Sequence, residues 1–161
     1  MSGIKTTLLL TLTAMALRMG LFYAGVPVAP FQFIPVHLLL IVLAMFFSGH
    51  LLLKHDASRG FGELLRAAFQ GVFAYASLIA LFSWFFYTVV DTTAFSSYNQ
   101  RLVEGFVAQG HPEDQALEKV SALYNPVSYA TLTFFGSFLA GAANAFAFAL
   151  LHHKLLRKVR R

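Results

Sequence analysis

Four stretches of this sequence are each apolar for about 20 residues, the length that an α-helix needs to cross the hydrocarbon core of a bilayer. They cover residues 6–25, 33–53, 67–90 and 127–151. Apolar residues make up 58% of the 161-residue chain and charged residues 12%, against about 45–50% and about 25% in a soluble domain. We therefore predict an all-α integral membrane protein, a single membrane domain over residues 1–161 built as a bundle of four transmembrane helices.

The first apolar stretch could instead belong to a cleaved signal peptide, because Lys5 precedes it. Arg18 interrupts the apolar run, however, and no small-residue cleavage site follows before Pro27 and Pro30. We expect a retained transmembrane helix that ends before these two prolines, since proline fixes φ and lacks a backbone N–H donor.

Two polar segments connect the later spans. Residues 54–66 form the shorter one, and Gly60 and Gly62 favour a sharp reversal there. Residues 91–125 form the longer one, in which we predict two short amphipathic helices separated at Gly110 and Pro112. The apolar stripes that predict their buried faces are Tyr98, Leu102, Phe106 and Val107 in the first helix and Leu117, Val120 and Tyr124 in the second.

The positive charges predict that both chain ends are cytoplasmic. With that orientation nine Lys and Arg residues face inward and only Arg101 and Lys119 face outward, as the positive-inside rule requires. Segment 91–125 carries five acidic and two basic side chains, a net charge of −3, and is expected outside. We therefore expect a multi-pass protein of a bacterial inner (cytoplasmic) membrane that contacts membrane lipids and no nucleic acid. The nine inward residues are Lys5, Lys54, Arg59, Arg66, Lys154, Arg157, Lys158, Arg160 and Arg161.

Small residues recur at a spacing of four along the last span, a pattern that lets helices approach closely in membranes. We expect this face to pack inside the bundle, the alternative being a contact with a protein partner or a second copy of the chain. A neighbouring ridge of Gly136, Ala140 and Asn144 would leave a second face for a partner. The first ridge consists of Ser137, Gly141, Ala145 and Ala149.

Three polar residues are expected within or at the edge of the apolar zone. Arg18 lies in the first span, and a charge at the bilayer centre costs about 2.5–3.5 kcal/mol on insertion scales. It could extend to the interface, or it could pair with Asp91 at the end of the third span and set the helix register. Asn144 lies near the middle of the last span and could form hydrogen bonds across the bundle.

The residue types argue against a cofactor and against catalysis. The chain has no cysteine, and no nucleotide-binding loop, Ser/His/Asp set or metal-ligand spacing is present. Haem ligation by His50 with His152 or His153 is a minor alternative, because these residues end two spans on the same side, whereas His37 lies near the opposite side. We expect neither a cofactor nor a metal, and not an enzyme.

The run FGELLRAAFQGVFAYASLIALFSWFFYTVVD, followed by an outward helical segment and a Gly- and Ala-containing span with a basic end, resembles the bacterial "domain of unknown function 4199" family. The residues that carry the resemblance are Phe61-Gly62-Glu63, Gly71 and Asp91. The resemblance implies a protein of four spans and implies no activity.

These observations favour an accessory or scaffold subunit of a bacterial envelope complex without catalytic activity of its own. The alternative is a small, possibly oligomeric transporter or channel whose polar path uses Arg18, Asp91 and Asn144. A haem-carrying electron-transfer subunit is a third, weaker hypothesis. A transporter requires the three polar residues to converge on one cavity, whereas an accessory subunit requires them to be buried and satisfied.

Overall fold

The computed structural model describes residues 3–56 and 58–156 and is mainly helical, without β-strands in that part of the chain. Four of its helices, α1, α2, α3 and α6, are long and apolar enough to cross a membrane. This confirms the predicted all-α membrane bundle. The basic residues beyond 156 lie outside the described residues. The six helices are α1 (Gly3–Tyr23), α2 (Ile34–His55), α3 (Phe61–Phe85), α4 (Ala94–Ala108), α5 (Glu113–Leu123) and α6 (Pro126–Leu151).

Each long helix of the bundle packs against at least two others, and α2 and α3 also contact each other across the bundle. Going round the bundle, α1 packs against α2, α2 against α6, α6 against α3, and α3 against α1. At one end, which we call the turn end, Gly3 packs against Ser48, and Gly49 packs against His152. At the other end, the hairpin end, Phe22 of α1 contacts Phe86 just after α3. The first described residues of α1 and the end of α6 therefore lie at the same end of the bundle.

The centre of the bundle is filled by apolar side chains. Ile41 and Met45 from α2 and Val72, Tyr75 and Ile79 from α3 are all almost completely inaccessible to solvent. The Tyr75 hydroxyl is the polar group of this cluster, and it donates to the backbone oxygen of His37 at 3.2 Å. A buried tyrosine is expected to find such an acceptor.

Glycine allows α6 to approach α2 and α3 closely. A Cβ atom at Gly141 would lie 2.6 Å from Cδ1 of Ile41 and 2.8 Å from Cγ1 of Val72. Such distances are too short for non-bonded carbon atoms, whose optimal separation is about 3.5–4.0 Å. Ser137, Ala145 and Ala149 are also buried on this face of α6. The small-residue ridge thus packs within the bundle.

The helix ends differ from the predicted span boundaries by several residues. Helix α1 begins at Gly3 and ends at Tyr23, and the chain then turns at Gly25, whose φ of +70° favours glycine. The connection is shorter than the polar segment predicted over residues 54–66. It covers residues 56–60, because α2 continues to His55 and α3 begins at Phe61. Glu63 stabilises this early start by accepting a hydrogen bond from the Gly60 backbone N–H at 3.0 Å.

The segment over residues 91–125 contains the two predicted helices, but their buried faces differ from the predicted stripes. In α4 the buried residues are Phe95, Asn99 and Val103, whereas Phe106 and Val107 are exposed. In α5 the buried residues are Ala116 and Val120, and Leu117 is exposed. A polar contact explains why α4 is rotated relative to the predicted stripe. Asn99 donates from Nδ2 to the backbone oxygen of Tyr124 at 2.9 Å, which turns it toward α5.

Candidate functional site

The hairpin end of the bundle holds a buried ion pair between α1 and the residue that follows α3. Nη2 of Arg18 lies 3.3 Å from Oδ2 of Asp91, and it also donates to the backbone oxygen of Val28 at 3.2 Å. The Arg18 side chain is 4% exposed and that of Asp91 14%. Nε of Arg18 is buried and has no hydrogen-bond partner among the described residues. Arg18 is therefore held in the protein by Asp91 and does not extend into lipid.

The position of Asp91 follows from a widening of the helix that precedes it. After Phe85 the backbone changes to a π-helical turn over Phe86–Val90, and the Asp91 N–H donates to the oxygen of Phe86 at 2.8 Å. Short π-helical turns of this kind are frequent at functional sites. The same turn places the rings of Phe86 and Tyr87 at 4.6 Å and 5.5 Å from the Arg18 guanidinium carbon. These rings add cation–π attraction to the ion pair.

Aromatic packing and a tyrosine hydrogen bond hold the neighbouring elements in place. The hydroxyl of Tyr129, in the first turn of α6, donates to the oxygen of Pro30 at 2.8 Å. Its ring also contacts Tyr87 and Phe95 at centroid distances of 5.2 and 5.9 Å. The α1–α2 connection and the starts of α4 and α6 are therefore joined around the ion pair.

A pocket of about 490 Å³ opens beside the ion pair at the hairpin end. Its walls are the α1–α2 connection from Gly25 to Gln32 and the first two turns of α4, and both Arg18 and Asp91 line it. Its polar side chains include a second arginine, Arg101. The predicted transmembrane spans gave no sign of this pocket, because its walls are largely formed by connections between helices.

Asn144 does not belong to this pocket. Its Nδ2 donates to the oxygen of Ala140 in its own helix at 2.8 Å, so the expected hydrogen bond across the bundle is not formed by this donor. Gly136 on the same ridge is exposed, and a Cβ atom there would meet nothing within 4 Å. The structure thus brings Arg18 and Asp91 together and places Asn144 elsewhere.

The histidines at the turn end form an aromatic cluster. The rings of His50 and His152 are 6.5 Å apart and nearly perpendicular, and Phe46 contacts both, at 6.0 and 5.4 Å. Nδ1 of His152 lies 2.6 Å from the oxygen of Phe148. His37 is at the opposite end against Phe33. Within residues 3–56 and 58–156 no three His, Asp or Glu side chains are grouped closely enough to hold a metal ion.

A second polar depression, which sequence reasoning missed, lies between α4 and α5. This acceptor groove has a volume of about 500 Å³ and is lined by Asn99, Glu104, Glu113 and Leu117 among others. Oδ1 of Asn99 is buried there without a hydrogen-bond partner among the described residues. One signal was present in the sequence: Asn99 interrupts the apolar stripe between Phe95 and Val103 at a spacing of four.

The residues that carry the family resemblance have clear structural roles. Glu63 caps α3, and Asp91 pairs with Arg18. Gly71 lies where α3 approaches α1 and α2, because a Cβ atom there would be 3.0 Å from Oγ1 of Thr7 and 3.2 Å from Cε of Met45. The resemblance itself remains a prediction. No protein-family model, curated protein or solved structure matches this chain.

Proposed function

We propose that this multi-pass membrane protein is a non-catalytic accessory or scaffold subunit of a bacterial inner-membrane complex. The observation that carries this proposal is that its intramembrane charge is paired within the protein. Arg18 is bound by Asp91 and by the oxygen of Val28. Arg18 and Asp91 line a pocket at the hairpin end, but a transport path would have to continue through the bundle centre, which apolar side chains such as Ile41, Val72 and Ile79 fill.

The acceptor groove is the surface that we assign to the partner. Its charged groups are the carboxylates of Glu104 and Glu113, and Glu104 also accepts a hydrogen bond from Nε2 of Gln100 at 3.3 Å. Leu117, which is 52% exposed, and Val107 supply apolar surface beside them. A basic, amphipathic segment of another protein matches this combination, because its cations would meet the carboxylates and its apolar side chains would cover the leucine and valine.

The expected orientation supports the same assignment. The positive-inside rule puts α4 and α5 on the outer side of the membrane, and segment 91–125 has a net charge of −3. A negative hairpin on that side attracts a positive partner segment over roughly one Debye length, about 8–10 Å at ordinary salt. The partner is therefore expected to present its basic segment outside the membrane.

Site-specific photo-crosslinking in the native host tests the proposal. A photoreactive residue at Leu117 should give one discrete adduct with a membrane protein, whereas the same residue at Leu139, an exposed lipid-facing position of α6, should not. The double change Glu104→Lys and Glu113→Lys should reduce the Leu117 adduct at least about fivefold, since two attractive contacts become repulsive.

The matched control for that double change is Glu118→Lys, an exposed acid of α5 that does not line the groove. This variant should leave the adduct nearly unchanged. Failure to obtain a discrete adduct at Leu117, or equal loss of it in the control and in the double variant, would refute the assignment of this groove to a partner.

A further inference from the structure

The pocket beside the Arg18–Asp91 pair has a size and a setting suited to a small ligand. Its volume of about 490 Å³ falls within the range of about 300–1,000 Å³ that is usual for ligand sites. It lies at the hairpin end, where the apolar part of α1 ends at Tyr23. A ligand there could come from the water phase or from the headgroup layer of the membrane.

The polar side chains of this pocket are mainly hydrogen-bond donors. Gln32 uses its Oε1 to accept the Ala29 backbone N–H at 3.0 Å, so that its amide NH₂ group remains as a donor. Arg101 donates from Nε to the oxygen of Ser97 at 3.2 Å, and its terminal amino groups remain available. Both residues line the pocket. Arginine has five N–H donors and no acceptor, which suits it to oxyanions.

The charges favour an anion as well. Two arginines and one aspartate line the pocket, so their net charge is +1. The aspartate is already engaged by Arg18 at 3.3 Å. Arg18 is 4% exposed and its Nε is inaccessible, so it contributes positive charge to the pocket and no direct donor from Nε. A cation would face two arginines there, and a neutral ligand would leave the excess positive charge uncompensated.

We propose that this pocket binds a phosphate-type oxyanion, with Arg101 and the amide of Gln32 as direct donors and Arg18 as the positive floor. Free phosphate and the phosphate of an anionic lipid headgroup present the same chemistry. Arg101 is exposed, so that it can be replaced without disturbing the core. This assignment is independent of the acceptor groove, which neither Arg101 nor Gln32 lines.

The experiment uses the full chain purified in a neutral detergent, in two arms. One arm titrates inorganic phosphate, against chloride at equal ionic strength, and follows binding by the ³¹P line width. The other arm measures retention of phosphatidylglycerol relative to phosphatidylcholine by native mass spectrometry. Arg101→Gln should weaken binding about tenfold, the typical effect of one lost charge-assisted contact. Lys119→Gln, another exposed base at the hairpin end, should have little effect.

Each outcome decides the question. Saturable phosphate binding that depends on Arg101 supports the site with a free oxyanion as ligand. Preferential retention of phosphatidylglycerol with the same dependence, and no phosphate binding, supports it with a lipid headgroup. Binding in neither arm, or equal weakening by Arg101→Gln and Lys119→Gln, overturns the proposal. Circular dichroism of both variants checks that they are folded.

Discussion

Replacement of Arg18 by leucine tests whether the ion pair holds α1 against the end of α3. The variant loses the contact with Asp91 at 3.3 Å and the hydrogen bond to the oxygen of Val28 at 3.2 Å. It also loses the cation–π contacts with Phe86 and Tyr87. Removal of one member of a buried ion pair costs about 3–5 kcal/mol. The Asp91 side chain is 14% exposed beside an open pocket, so that water can hydrate it and the low end applies.

We therefore expect Arg18→Leu to lower the free energy of unfolding by about 3 kcal/mol. Asp91→Asn should cost less, about 1–2 kcal/mol, because asparagine keeps an oxygen that accepts a hydrogen bond from Arg18. The double variant should be more stable than the sum of the two losses predicts, with a coupling energy of about 2–3 kcal/mol, which exceeds the loss caused by Asp91→Asn alone. Partial rescue relative to Arg18→Leu is the decisive feature.

The assay is unfolding of the purified protein by SDS in mixed micelles, followed by far-ultraviolet circular dichroism. Arg101→Leu is the matched control, since this arginine is exposed at the same end of the bundle and should change stability by no more than about 0.5 kcal/mol. If the double variant is no more stable than Arg18→Leu alone, the ion pair does not stabilise the fold and the reasoning is wrong.

Three further predictions concern packing, a buried hydrogen bond and pH. Gly141→Ala should destabilise the protein by about 1–3 kcal/mol through overpacking, whereas Gly136→Ala, which meets open space, should be neutral or stabilising by up to about 1 kcal/mol. Tyr129→Phe should cost about 1 kcal/mol because the oxygen of Pro30 loses its donor. SDS unfolding measures the stability of these three variants. Hydrogen bonds from Ser58 hold the pKa of Asp56 below its usual value, so its stabilising effect is complete above about pH 4 and decreases as the pH falls further. Thermal melts at successive pH values should therefore show a smaller loss of stability on acidification for Asp56→Asn than for the wild-type protein.

The sequence was sufficient for the features that depend on composition along the chain. The four spans follow from hydropathy, and Asp91 was the one acid at the end of a span that could reach Arg18 across the bundle. The face that a helix buries is decided by neighbours that are distant in sequence. Two small-residue ridges lie side by side on α6, and Gly141 is buried while Gly136 is exposed, because Ile41 and Val72 meet only the former.

The two pockets could not be predicted for a related reason. Both pockets are formed by segments whose register depends on single polar contacts. A hydropathy profile of the sequence does not reveal such contacts. The bond from Asn99 to the oxygen of Tyr124 orients α4, and the bond that the Ala29 N–H donates to Oε1 of Gln32 shapes the α1–α2 connection. At the turn end, the cap that Glu63 gives to Gly60 allows α3 to begin at Phe61, six residues before the apolar span predicted from about residue 67.

Helix α4 separates two surfaces of opposite character. Ser97 and Arg101 face the donor-lined pocket, whereas Asn99 and Glu104 face the acceptor groove. Only Thr92 and Thr93 separate Asp91 from the start of this helix, so the ion pair with Arg18 anchors α4 to the bundle. Changes at Arg101 or Glu104 should therefore act on one surface each. A change at Asp91 should alter both, because it releases the helix on which both surfaces depend.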